Sequence, residues 1–168
     1  RKEYIKAKSV LKELMQFFSG YNADKIDYVT ISGSGEPLLN AKIKDIILGI
    51  KKLTAIPVAL ITNSIMLSDP KVREEISDLN LILPSLDAVT QDIFEKIDRP
   101  FNAKIKIEEI INGLISLGKE FKGKIWLEIM AVKDINDNLE YMKKFKKVIL
   151  KINPDKIQIN IPTRPPAE

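Results

Sequence analysis

The run Gly33-Ser34-Gly35-Glu36-Pro37 places a carboxylate directly behind two glycines, at the end of the β-rich stretch 26–32. Glycine lets a backbone turn tightly and come close to a ligand, leaving amides or carbonyls free to bind it. Glu36 is then presented at the rim of the turn, and Pro37 stiffens the exit. An exposed carboxylate in that position is expected to contribute little to folding. It is better suited to accepting charge-assisted hydrogen bonds from a ligand cation. A dinucleotide-binding turn would need glycine where Leu38 stands, and a phosphate loop would need a lysine that is missing.

Four further polar groups stand where the hydrophobic pattern places the carboxyl ends of strands. They are Thr62-Asn63-Ser64, then Ser85-Leu86-Asp87, then Glu128 with Lys133-Asp134, and finally Gln158, Asn160 and Arg164. Taken singly, each has a plain structural explanation. Asn and Ser are common turn residues, and Ser85, Asp87 or Thr90 could cap the helix that follows. Glu128 interrupts an apolar run and must face solvent, a partner or a ligand, because burying it unpaired is costly. Trp126 beside it reads as core or helix packing.

The chain has 168 residues with no cysteine and no histidine. That excludes disulfides, thiolate nucleophiles, Ser-His-Asp triads and ordinary zinc sites from this stretch. Its 27 Lys+Arg and 23 Asp+Glu are mostly interspersed, and the densest basic stretch, Lys143–Lys147, reads as a solvated helix face. No apolar run approaches the roughly 20 residues of a membrane span. The charged start RKEYIKAKSVLKEL carries no signal-peptide pattern, so a cytoplasmic location with no membrane partner is expected.

The elements that must position these groups alternate along the chain. Helical stripes run through Val10, Leu14 and Phe17, through Ile43, Ile46 and Ile50, through Ile107, Ile110 and Leu114, and through Leu139, Met142 and Phe145. Strands are predicted at 26–32, 57–62, 79–86, 124–132 and 156–161. PVALIT at 57–62 is apolar throughout, as a strand covered on both faces reads. Repeated αβ units imply a parallel sheet with right-handed crossovers, and ligands of such folds bind beyond the carboxyl ends of the strands.

Taken together, these segments resemble the radical S-adenosylmethionine (SAM) superfamily over essentially the whole chain. DYVTISGSGEPLLN is similar to its second-strand segment, where a Gly-Gly-Glu-Pro-like motif binds the amino group of SAM's methionine; Ser34 replaces the first glycine. LITNS resembles the third strand with its Thr62-Asn63, and LILPSLDA the fourth, whose Ser85 and Asp87 would lie near SAM's ribose or carboxylate. IWLEIMAVKDIND resembles the fifth, with Glu128 at its polar position, and KIQINIPTRPPAE the sixth strand of the Fe–S oxidoreductase branch.

The resemblance implies an α/β fold: a partial parallel (βα) barrel with five of six strands present and the first missing. It implies one core domain over 1–168, cut so that both the N-terminal cluster loop and a C-terminal segment are absent. In the intact protein a 4Fe–4S cluster, held by a Cys-x3-Cys-x2-Cys loop before Arg1, would cleave SAM reductively to a 5′-deoxyadenosyl radical. The implied SAM-binding residues are Gly33, Ser34, Gly35, Glu36, Pro37, Thr62, Asn63, Ser85, Asp87 and Glu128, with no metal ligand here and no activity expected of the fragment. An electron donor is implied, with a small molecule, tRNA or protein as substrate. SLDAVTQDIFEKIDRP also resembles a stretch of tRNA wyosine-base synthases. Other readings are a cluster-free barrel enzyme using Glu36, Asp87 and Glu128 in acid–base catalysis, or a non-enzymatic binding domain. With the first strand absent, 26–32 becomes an exposed edge favouring self-association.

Overall fold

The computed structural model describes residues 1–20 and 25–163, so Arg164 lies outside the described residues. Five strands form one parallel sheet in sequential order: β1 (Val29–Ile31), β2 (Val58–Thr62), β3 (Leu81–Pro84), β4 (Lys124–Met130) and β5 (Lys156–Asn160). Six helices accompany them: α1 (Ala7–Gly20), α2 (Ile43–Leu53), α3 (Pro70–Glu75), α4 (Gln91–Ile97), α5 (Ile107–Glu120) and α6 (Leu139–Ile152). The parallel α/β sheet is the one expected of the pattern, and the partial barrel is the one the resemblance implied. The strands are shorter than their apolar runs, because hydrogen-bonded pairing ends before hydrophobicity does. Pairing of β1 with β2 covers only Val29–Ile31.

Local chemistry sets the helix ends. Pro70 occupies the first turn of α3, where its missing N–H costs nothing, and Asp69 accepts from Lys71 N at 2.9 Å. Asn138 caps α6 through Tyr141 N, and Asn153 ends it in the left-handed region at φ 55°. The helix stripes then bury against one face of the sheet. Ile43, Ile46, Ile47 and Ile50 of α2 join Leu60, Ile82, Ile125 and Leu127 in a single core. Side chains alternate across a strand, so Trp126, Glu128 and Met130 turn to the opposite, concave face.

That alternation corrects the helix-packing reading of Trp126. Its ring meets Tyr28 edge to face at 6.4 Å, and the Lys156 ammonium lies 4.6 Å from its centre. A flat sheet would hold β1 and β4 about 14 Å apart. The contact therefore reports a strongly curved wall, closed at its amino end by these three side chains. The opposite, carboxyl end is left for polar groups.

Candidate active-site rim

Glu36 is the most heavily bonded of the candidate residues. It precedes the 3-10 turn Pro37–Leu39 and caps it, Oε1 accepting from Leu38 N at 3.0 Å. The same oxygen accepts from Thr62 Oγ1 at 2.7 Å, and Oε2 accepts from Asn63 N at 2.7 Å. A carboxylate oxygen has two lone pairs, so these contacts occupy both on Oε1 and one on Oε2. The expectation of an exposed side chain with little part in folding is corrected. Glu36 is half-buried and ties the turn to the end of β2. One acceptor position on Oε2 remains for an incoming donor.

The glycines serve differently from the expected tight turn. Neither Gly33 nor Gly35 has a positive φ, so the backbone path is open to other residues. A Cβ on Gly33 would sit 3.3 Å from Gly35 O, whereas one on Gly35 would meet nothing within 4 Å. Gly35 thus leaves a stretch of backbone uncovered beside the Glu36 carboxylate. Ser34, between them, is exposed, and Pro37 begins the 3-10 turn.

From Glu36 a chain of hydrogen bonds runs along the rim. Thr62, only 2% exposed, accepts at Oγ1 from Ser64 N (3.2 Å). Ser64 holds φ 70°, an uncommon conformation for a residue with a side chain, and its hydroxyl donates to Ser85 O at 2.6 Å. Ser85 pairs with Glu128 across a parallel bridge, and Leu86 N donates to Glu128 O at 2.9 Å. Glu128 Oε1 accepts from Asn160 Nδ2 at 3.0 Å. The rim therefore connects all five strand ends. Asn63 faces outward, its Oδ1 accepting from Ile65 N.

Asp87 does not cap the following helix, and neither does Ser85. Asp87 Oδ1 accepts from Met130 N at 2.6 Å, which fastens the exit of β3 to the end of β4. Thr90 occupies the cap position of α4 without bonding its backbone; its hydroxyl meets Tyr141 Oη at 3.2 Å. Burial pushes the Asp87 carboxyl above the ordinary carboxylate range, the Met130 N–H pulls it back, and the Glu128 carboxylate adds to the rise. Asp98 ends α4. Much of that residue is open to solvent, yet crowding around its carboxyl, and then the Asp87 charge, push it up to about 7.

Two residues of this rim carried no distinctive sequence signal. Ser64 looked like an ordinary turn serine. Asn136, fully buried, donates from Nδ2 to Asp87 O and Met130 O and accepts from Val132 N at 2.7 Å. Asn is frequent in loops, so only the fold reveals that this one holds two strand exits together. Among the described residues, no three carboxylates stand close enough to hold a metal ion.

Beside the glycine turn, a cavity of about 700 Å3 opens between α1, α2 and the free edge of β1. Val10, Leu14, Phe17, Val29, Ile31 and Ile46 make its walls mostly apolar, and Gly33–Pro37 close one end.

The curved parallel sheet, with its polar side chains gathered at the carboxyl rim, defines a partial α/β barrel. A family model described as the Radical SAM superfamily matches residues 2–145, and the chain belongs to that superfamily. The chain is 40% identical over 161 residues, 96% of its length, to a protein of Brachyspira hyodysenteriae named GTPase Obg, of which it covers 23%. It is 34% identical over 151 residues, 86% of its length, to a probable dual-specificity RNA methyltransferase RlmN of Thermotoga sp., covering 43% of that protein. The fold is shared with a radical SAM methyltransferase from Sphaerobacter thermophilus, at TM-score 0.63 and 13% identity over 98% of this chain and 50% of that one. The chain thus spans half or less of each of these proteins. The superfamily generally uses SAM and a 4Fe–4S cluster, and this chain contains no cysteine to hold the cluster.

Proposed function

We propose that residues 1–168 are the SAM-binding part of a radical SAM enzyme core whose cluster is held by cysteines outside this stretch. The observation that carries the reading is the Glu36 carboxylate, fixed by three protein donors with one acceptor position left on Oε2. A preorganised acceptor beside uncovered backbone suits the ammonium group of SAM's methionine. Ser85, Asp87 and Glu128 continue the row of acceptors along the rim, where the hydroxyls of a ribose are natural donors. When bound, SAM and the cluster together supply one-electron cleavage of a carbon–sulfur bond. The residues of this chain bind and orient the cofactor; none of them is a cluster ligand.

The apolar cavity at the β1 edge is where the reading places the missing first strand. An electron donor and a separate substrate complete the system. An RNA substrate is a second reading, favoured by the match to a protein named as an RNA methyltransferase. The test is anaerobic reconstitution of the 168-residue chain beside a version extended upstream through the cysteine loop. The extended protein should hold a 4Fe–4S cluster, bind SAM and cleave it, and the short chain should hold no iron. A stoichiometric cluster in the short chain, or no SAM binding by the extended one, would sink the proposal.

A further inference from the structure

Residues 1–6 form no helix and no extended strand, yet they are fastened at several points to the segment that follows Glu36. Lys2 pairs with Asn40 in an isolated parallel bridge, with Lys2 N donating to Leu39 O (3.3 Å) and Ala41 N donating to Lys2 O (3.0 Å). Asn40, 9% exposed, donates from Nδ2 to Ile5 O at 3.1 Å, and its Oδ1 accepts from Lys42 N at 2.9 Å. The Arg1 guanidinium donates to Asn40 O at 3.0 Å and to Glu75 Oε2 at 2.6 Å. On its other side, Asn40 N donates to Pro37 O at 3.0 Å and closes the 3-10 turn that Glu36 caps.

We propose that Asn40 is a positioning residue for the cofactor site: it locks residues 1–5 onto the Glu36 turn and so fixes how the chain enters beside the carboxylate. This rests on the reading above, in which the cluster ligands precede Arg1. A side chain needed only to start α2 would spend its acceptor on Lys42 N and nothing more. Here the donor half is committed to a segment without secondary structure. Hydrophobic burial does not hold that segment either, since Tyr4 and Ile5 are each 58% exposed. Polar contacts therefore set its position, and Asn40 carries the central ones. A small shift there would move the upstream loop relative to Glu36, and misplacement by about 1 Å can cost on the order of 100-fold where geometry matters.

The experiment uses the protein carrying its upstream cysteine loop, reconstituted with iron and sulfide. Asn40→Ser keeps a short acceptor for Lys42 N but cannot reach Ile5 O. Glu75→Gln loosens Arg1 from a position on α3 that touches none of the rim side chains. Glu120→Gln is the control; it weakens the ion pair with Arg73 (2.9 Å) and makes no contact with residues 1–6. Three quantities are read for each: amide exchange at Lys2 and Ala41, melting temperature, and SAM affinity by calorimetry. Exchange at both amides should quicken in Asn40→Ser and Glu75→Gln. The SAM dissociation constant should rise roughly 10-fold and roughly 3-fold respectively, the scale of about one hydrogen bond or less. Glu120→Gln, at an exposed ion pair, should lose little stability, leave both amides unchanged and bind SAM normally. Faster exchange with unchanged SAM affinity in both strap variants overturns the inference and leaves the SAM site standing. No SAM binding by the unmodified protein overturns both.

Discussion

The Thr62 hydroxyl donates a 2.7 Å hydrogen bond to the Glu36 carboxylate, and that contact joins the turn after β1 to the last residue of β2. Asn63 N reaches the other carboxylate oxygen, so Glu36 holds two strand exits in register while keeping one acceptor position open. Under the proposed function, structural and ligand-binding duties thus meet in one side chain.

Glu36→Gln separates them only in part. Glutamine keeps Oε1 for Leu38 N and Thr62 Oγ1, but its amide would set a donor against the Asn63 N–H. The Asn63 N–H is exposed and can turn to water, so losing this hydrogen bond costs about 0.5–1.5 kcal/mol, a fall in melting temperature of about 1–6 °C in a chain of this size. SAM affinity of the cluster-bearing protein should fall as well. Thermal unfolding beside calorimetric titration checks both, and an unchanged melting temperature would remove the rim network from the account.

Gly118→Ala tests the packing of α5 on α6. An added Cβ would lie 2.0 Å from the carbonyl oxygen of Ile152, closer than any real contact, and that oxygen is backbone. Alanine favours a helix over glycine by roughly 0.5–1 kcal/mol, while forced overpacking typically costs about 1–3. The clash wins, and urea unfolding should show a net loss of about 1–2 kcal/mol. A more stable variant would mean that the two helices separate freely.

Asp98 makes stability depend on pH. Its carboxyl is raised from 3.8 to about 7 in the fold, so the folded protein holds a proton that the unfolded chain has released. Between those values stability therefore falls as pH rises, and the loss is complete above about 7. Asp98→Asn should remove this dependence. The variant should match the parent near pH 4 and melt about 1–2 °C higher at pH 8, a small gain because the residue is exposed enough for solvent to screen part of the effect. Equal melting temperatures at both pH values would show that the carboxyl titrates normally.

The edge of β1 predicts association of the 168-residue chain with itself. Among the described residues Val29–Ile31 pairs with β2 alone, beside the apolar cavity, and unpaired strand edges recruit other chains. Sedimentation at rising concentration should reveal dimers or larger species. Thr30→Lys, which puts a charge on that exposed edge, should suppress them. A monomer at all concentrations counts against the edge as a contact surface.

Much of this architecture is written in periodicity. The isoleucine stripe of α2 states its own burial, because a helix presents side chains at fixed intervals whatever its surroundings. The apolar run of β2 reads as covered on both faces, yet Ile61 on the concave face is 38% exposed. The order of elements, the parallel sheet and the polar residues at strand ends follow from that local pattern, and the absence of cysteine is absolute in the sequence. The partners of those polar residues do not follow. Glu36 and Thr62 are 26 residues apart, Asp87 and Met130 are 43 apart, and Asn40 and Ile5 are 35 apart. Each pair meets only because strand register and sheet curvature bring it within hydrogen-bonding distance. Trp126 makes the same point, since one residue of register decides whether it faces the helices or the concave wall. Sequence determined which groups stand at the rim; the tertiary structure decided which of them are spent holding it together and which remain free to bind.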